Sequence, residues 1–223
     1  MSRKVIYEAI KKTIERLVQE AKKNHDKKGK KSRLHFGRSP SLAPFFEEEF
    51  AKNLSKVFNN YDFFIDCPVS LLDKNKKHLR KQKIYPDLLV IYKKDKDYIL
   101  RGIIELKLEL GYLNIGKLKD NNREKNLLKS KFLIIKLKNK EEISIKIHSK
   151  PKIKKLLLVV TLKNEHNYKG KPKSPKYWKI MEKYGYEHIF LLQKNHYNDD
   201  SFKSILNELD SKKEEITKFF TGL

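Results

Sequence analysis

Three ionisable residues stand at the ends of two apolar runs. Asp87, in Tyr85-Pro86-Asp87, precedes Leu88-Leu89-Val90-Ile91-Tyr92, and Glu105-Leu106-Lys107 closes the run that begins at Tyr98. Lys93-Lys94-Asp95-Lys96-Asp97 lies between the runs, so together they read as two strands joined by a tight turn. A turn centred near Asp95 or Lys96 sets Asp87 opposite Ile103 or Glu105. In either register the side-chain period of two puts Asp87, Glu105 and Lys107 on one face. Half-buried carboxylates so close together repel each other and are costly to desolvate, and a divalent cation between Asp87 and Glu105 relieves both effects. Magnesium is the expected ion, being hard, oxygen-seeking and reluctant to shed its waters, with manganese as a substitute. Lys107 would then orient a water nucleophile or neutralise charge growing on an attacked phosphate. The plainer alternative is two solvated acids at strand ends, because acid-x-Lys triplets recur in a chain with 45 lysines.

With 17 residues between Asp87 and Glu105, the pattern Pro86-Asp87 and Glu105-Leu106-Lys107 resembles the signature of the PD-(D/E)xK nuclease superfamily. The order of the elements agrees, and Pro86 falls at a strand start, where its missing N–H is tolerated. The resemblance covers roughly residues 41 to 192. It implies an α/β fold with a mixed central sheet flanked by helices. The core would be restriction-endonuclease-like (helix, three-strand meander, helix, strand), here with an inserted β-hairpin near residues 131–148. It also implies a magnesium-dependent nuclease cutting DNA, with Asp87 and Glu105 holding the metal and Lys107 assisting attack of water on the phosphodiester. Such enzymes often carry a glutamate on the helix before the meander, and Ser41 to Phe58 is that helix. At 100° per residue Phe46, Phe50, Leu54 and Val57 form its apolar stripe. Glu47 lies inside the stripe, Glu49 on a flank beside Asn53, and Glu48 on the solvated side. Glu47 is therefore the first candidate for a further catalytic acid, ahead of Glu49, with Glu48 last. A first-turn cluster favoured by the helix dipole accounts for part of this acidity.

The net charge of +24, from 52 basic against 28 acidic residues, points to a polyanionic partner, with nucleic acid ahead of an acidic membrane surface. A compositional bias enriches lysine too, but it does not explain the shortage of acids. Lys76, Lys77, Arg80, Lys81 and Lys83, in the basic stretch from Asp73 to Lys83, are the candidate nucleic-acid contacts, and an ordinary solvated connection is the competing reading. Lone Cys67 excludes an intramolecular disulfide or a cysteine metal cluster and suits a reducing cytoplasm. The seven histidines show no ligand spacing, and the eight glycines form no phosphate-cradling loop. No apolar run is long enough for a membrane span.

A chain of 223 residues can bury a substantial core. Its expected organisation is an N-terminal helix with a basic arm (1–40) followed by the nuclease-like domain (41–223). Val5 to Ala21 reads as a helix and Lys22 to Arg38 as a basic arm. Tyr61 to Leu72 reads as the first strand, Leu113 to Lys129 as a helix, and Phe132–Leu137 with Ile143–Ile147 as the inserted hairpin. Leu156 to Leu162 is expected as a central strand, Tyr177 to Tyr184 as a short helix capped at Gly185, and His188 to Leu192 as a further strand. Phe202 to Phe220 closes the chain as one amphipathic helix. The alternatives to a sequence-specific restriction-type enzyme are a structure-selective nuclease such as a junction resolvase or repair enzyme, a non-catalytic nucleic-acid-binding module, and a ribosome-associated or RNA-binding protein in which the motif arises by chance. A homodimer is expected of a double-strand cutter with one site per chain.

Overall fold

The computed structural model describes residues 3–29, 42–79, 83–94, 97–109, 126, 129–137, 139, 141–147, 153–161, 179, 181–193, 200–221 and 223. Over these residues the protein is α/β, with an open, mixed eight-stranded sheet and helices on one face. In chain order the elements are α1 (Arg3–Gly29), α2 (Ala43–Ser55), β1 (Tyr61–Ile65), β2 (Val69–Leu72), β3 (Leu88–Lys94), β4 (Asp97–Glu109), β5 (Phe132–Lys136), β6 (Glu142–Lys146), β7 (Lys154–Thr161), β8 (Tyr186–Leu192), α3 (Phe202–Ser211) and α4 (Lys213–Phe220).

The 13-residue β4 organises the sheet, because at about 3.3 Å per residue it spans about 40 Å. That length gives one of its edges room for two partners. β6 bridges it near its start, at Ile99 and Lys146, and β7 runs parallel to it from Gly102 to Glu109. Its other edge pairs antiparallel with β3, which pairs with β1. β7 is wholly apolar from Leu156 to Val160 and lies between β4 and β8, parallel to both, as an unalternating strand requires. The β5–β6 hairpin extends the sheet to β2.

Two cores lie on opposite faces. Helices α1 to α4 cover one, where Ile10, Ile14, Phe46, Phe50 and Phe220 meet Leu88, Val90, Ile104, Leu106 and Leu158. On the other, Val69, Leu71, Leu133, Ile135 and Ile145 pack against Leu89, Ile91, Leu100 and Ile103.

Four elements depart from their sequence reading. The first helix continues to Gly29, because nothing between Ala21 and Gly29 breaks it. It also buries Ile6, Tyr7, Ile10, Ile14, Leu17 and Val18 in the shared helical core. Tyr61 to Leu72 is two strands rather than one: Asp66 takes a left-handed φ of 44° just before Cys67-Pro68, and β2 leaves β3 to pair with β5. Phe202 to Phe220 is two helices, broken at Lys212 (φ −105°, ψ 9°), whose ammonium donates to the Phe190 carbonyl at 2.7 Å. The stretch after β2 folds back along it rather than looping freely. Asp73 Oδ1 accepts from the backbone N–H of Asn75 and Lys77, and bridges join Leu72 to His78 and Val69 to Ile84.

Gly185 takes a φ of 79° and donates to the Glu182 carbonyl at 2.8 Å, closing the helical residues 181–183. Of the expected helix at 113–129 only residues 126 and 129 are among the described residues, both helical; residues 177, 178 and 180 of that at 177–184 lie outside them, as do residues 30–38 of the basic arm.

Candidate active site

Asp87 stands one step before β3, following a buried Pro86 that cannot join the ladder. Its carbonyl accepts from the Asp66 backbone N–H at 3.2 Å, which fixes the chain where β1 ends. From Lys94↔Asp97 to Ile91↔Leu100 the β3–β4 ladder is regular, and it then shifts so that Val90 pairs with Gly102 and Leu88 with Ile104. Arg101 is the extra residue of this bulge. Continued one step, the shifted register sets Asp87 opposite Glu105, whereas an unshifted ladder would set it opposite Ile104. Re-aiming a side chain in this way is a recurrent use of bulges.

The three side chains then meet. Asp87 Oδ2 accepts from Lys107 Nζ at 2.5 Å and from the Leu106 backbone N–H at 2.7 Å. The same ammonium lies 3.6 Å from Glu105 Oε2. The Glu105 side chain is only 8 % exposed and Asp87 19 %, so water screens the two carboxylates weakly. Burial, then the Glu105 carboxylate, pushes the Asp87 carboxyl above its usual range, outweighing Lys107 and the Leu106 N–H, which pull it down.

Helix α2 contributes Glu47, which is half-buried. Its carboxyl is raised from 4.5 to about 7, chiefly by burial, then by Asp87, with Lys107 opposing and Asp66 and Glu105 adding to the rise. Glu47, Asp66, Asp87 and Glu105 therefore share one electrostatic neighbourhood around one lysine. The other two glutamates are engaged elsewhere. Glu48 is exposed, and Glu49 is buried against α1, with Arg16 at 3.7 Å and Lys52 at 3.3 Å. Asn53 beside it donates to Thr13 of α1 at 3.1 Å. The flank that carries Glu49 and Asn53 is thus the face α1 covers, so α2 meets two surfaces rather than one.

Asp66 is the site neighbour that the sequence reading missed. A Pro two residues later and an acid able to adopt the left-handed region were the available signals of a chain break there.

The basic stretch is placed unevenly. Lys83 is exposed next to Ile84, near the base of the folded-back arm, while Lys76 and Lys77 are exposed at its tip. The three steps along β2 from Val69 to Leu72 carry that tip about 10 Å beyond the Val69–Ile84 bridge. Arg80 and Lys81 lie outside the described residues.

Among the described residues no group of three His, Cys, Asp or Glu side chains forms a ready cage for a metal. Asp87 and Glu105 nevertheless suit magnesium, which takes one or two carboxylates and keeps its remaining sites for water and substrate phosphate. Their hard oxygen donors fit that ion better than zinc. No helix among the described residues is long and apolar enough to cross a membrane.

The comparisons with family models, with curated proteins and with solved structures each return no match to this chain.

Proposed function

We propose that the protein is a metal-dependent nuclease that hydrolyses phosphodiester bonds in DNA, on a restriction-endonuclease-like core. The observation that carries this reading is the convergence of Asp87, Glu105 and Lys107 at the end of two adjacent strands, with Glu47 drawn into the same field from the preceding helix. The order α2, β1, β3, β4 and then β7, parallel to β4, supports such a core once β2, β5 and β6 are set aside as additions.

In this reading Asp87 and Glu105 hold a magnesium ion, which when bound supplies Lewis-acid stabilisation of the charge that develops on the attacked phosphate. Lys107 is already aligned by Asp87 and adds a fixed positive charge at the same point. A carboxyl titrating near 7, as Glu47 does, can take a proton from the attacking water at neutral pH. Lys83 close by and the tip lysines Lys76 and Lys77 farther off would hold the backbone on either side.

Incubating supercoiled plasmid with magnesium, manganese or EDTA tests the proposal. Metal-dependent nicking or linearisation, lost in Asp87→Ala and Lys107→Ala, is expected. A binding-only module is the second reading, favoured by the Lys107 ammonium lying against both carboxylates as their counter-ion. Tight binding of DNA without cleavage in either metal would establish it instead.

A further inference from the structure

Two carboxylates and a lysine read the phosphate and leave the neighbouring base unread. Among the described residues only two large apolar side chains are exposed, Val5 and Tyr85. Val5 lies in the first turns of α1, but Tyr85 stands two residues before Asp87 and is 55 % exposed.

An exposed aromatic alone means little. Here it stands on a backbone held on both sides. Ile84 is buried and exchanges two hydrogen bonds with Val69, at 2.8 and 3.0 Å. Pro86 is buried with its φ fixed by the ring, and the Asp87 carbonyl is tied to Asp66. Burial alternates from Ile84 to Leu88 as buried, exposed, buried, half-buried, buried, so Tyr85 and Asp87 turn to the same, wetter side of the chain. The surroundings are cationic: Lys83 is exposed two residues before the ring, and Lys74, Lys76 and Lys77 are exposed along the same folded-back arm. A solvent-facing ring on a held backbone, between a basic strip and a phosphate-processing site, has the chemistry of a stacking platform, since every base offers it a π-face. A paired base is already stacked on its neighbours, so the ring gains only where a base has left the helix.

We propose that Tyr85 stacks on an unpaired base beside the phosphodiester bond at Asp87, so that the preferred substrate is a DNA strand with unpaired nucleotides at the cut rather than a continuous duplex. This rests on the nuclease reading of the Asp87 site, and within that reading it favours a structure-selective enzyme over a duplex restriction enzyme.

Fluorescence anisotropy in EDTA, where nothing is cut, tests it with a labelled single strand, a duplex and a duplex carrying an unpaired tail. The wild type, Tyr85→Phe and Tyr85→Ala are compared, with circular dichroism to show that each variant is folded. Tyr85→Ala is expected to weaken binding to the single strand and the tailed duplex about tenfold, and Tyr85→Phe to hold within about twofold. Duplex affinity and the slope of affinity against salt are expected to stay unchanged, because no phosphate contact is removed. Equal affinity of Tyr85→Ala and wild type for the tailed duplex, while the wild type cuts plasmid with magnesium, would overturn the stacking role and leave the nuclease standing. An equal loss on single strand and duplex would also overturn it. A wild type that binds none of the three and cuts no plasmid would overturn the nuclease reading and the stacking role together.

Discussion

Replacing Glu47 by glutamine is expected to stabilise the fold at pH 8 in EDTA while removing cleavage. The Glu47 carboxyl titrates at about 7 in the folded protein against 4.5 for an unperturbed glutamate. The folded state therefore binds more protons than the unfolded chain between those values, and unfolding free energy falls as pH rises through that window. At 1.36 kcal/mol per pH unit the full shift corresponds to about 3 kcal/mol, and partial exposure to solvent reduces it to about 1–2 kcal/mol. Below pH 4.5 both states carry a neutral carboxyl and glutamine gains nothing by this route; above pH 7 the whole difference applies. Urea denaturation at pH 5 and pH 8 reads it directly, because the difference between wild type and variant cancels most other titrations. EDTA keeps the comparison in the cation-free state. A stability difference equal at the two pH values, or a Glu47→Gln variant less stable at pH 8, would refute the claim that Glu47 is held ionised at a cost beside Asp87.

Lys107→Ala leaves Asp87 and Glu105 without their common counter-ion, and a loss of about 1–2 kcal/mol in EDTA is expected for a partly exposed pair; magnesium should raise the melting temperature of this variant more than that of wild type. Gly102→Ala places a methyl 2.6 Å from Leu223 Cδ2 and 3.4 Å from Val90, so denaturation should show a loss of about 1 kcal/mol that Leu223→Ala largely relieves. Replacing Lys76 and Lys77 by glutamine should lower the salt dependence of duplex binding by about 1.8 in slope, with the rate of cutting at saturating DNA unchanged.

Asp87, Glu105 and Lys107 were legible because their meeting is local: one hairpin and a period of two bring them to one face. The choice between Ile103 and Glu105 as the residue facing Asp87 was not. The turn falls midway between the two centres considered, which alone would set Asp87 opposite Ile104, and the bulge at Arg101 then brings Glu105 there; the local hint was Gly102, a glycine inside a strand. That glycine sits beneath Leu223, far from it in sequence, a contact that no local window contains. The burial of Glu49 was hidden for the same reason, since its partner Arg16 lies on a helix whose docking surface the periodicity could not name. The mixed α/β class was legible from the alternation of strand and helix patterns. The departure of β2 to β5 was not, because the Asp66 turn and a strand pairing distant in sequence decide it.

The electrostatics of the site argue for function more than the motif does. With 52 basic residues against 28 acidic ones, the chain has counter-ions in excess, and a fold selected for stability alone would disperse its acids among them. Glu49 shows that arrangement, held by Arg16 and Lys52, and so does Asp97, 2.7 Å from Lys146. At the end of β3 and β4 the opposite occurs. Glu47, Asp87 and Glu105 crowd one lysine closely enough that burial and mutual repulsion raise Glu47 and Asp87 above their ordinary range. Folding does not reward that clustering, and a fold keeps such strain where a ligand relieves it. The relief needed is positive charge beyond what Lys107 supplies, which a divalent cation brings, and the same excess of negative charge cannot attract DNA. On the nuclease reading proposed above, the lysines of the folded-back arm would hold the polyanion, while the acids would hold the ion that lets its phosphate approach them.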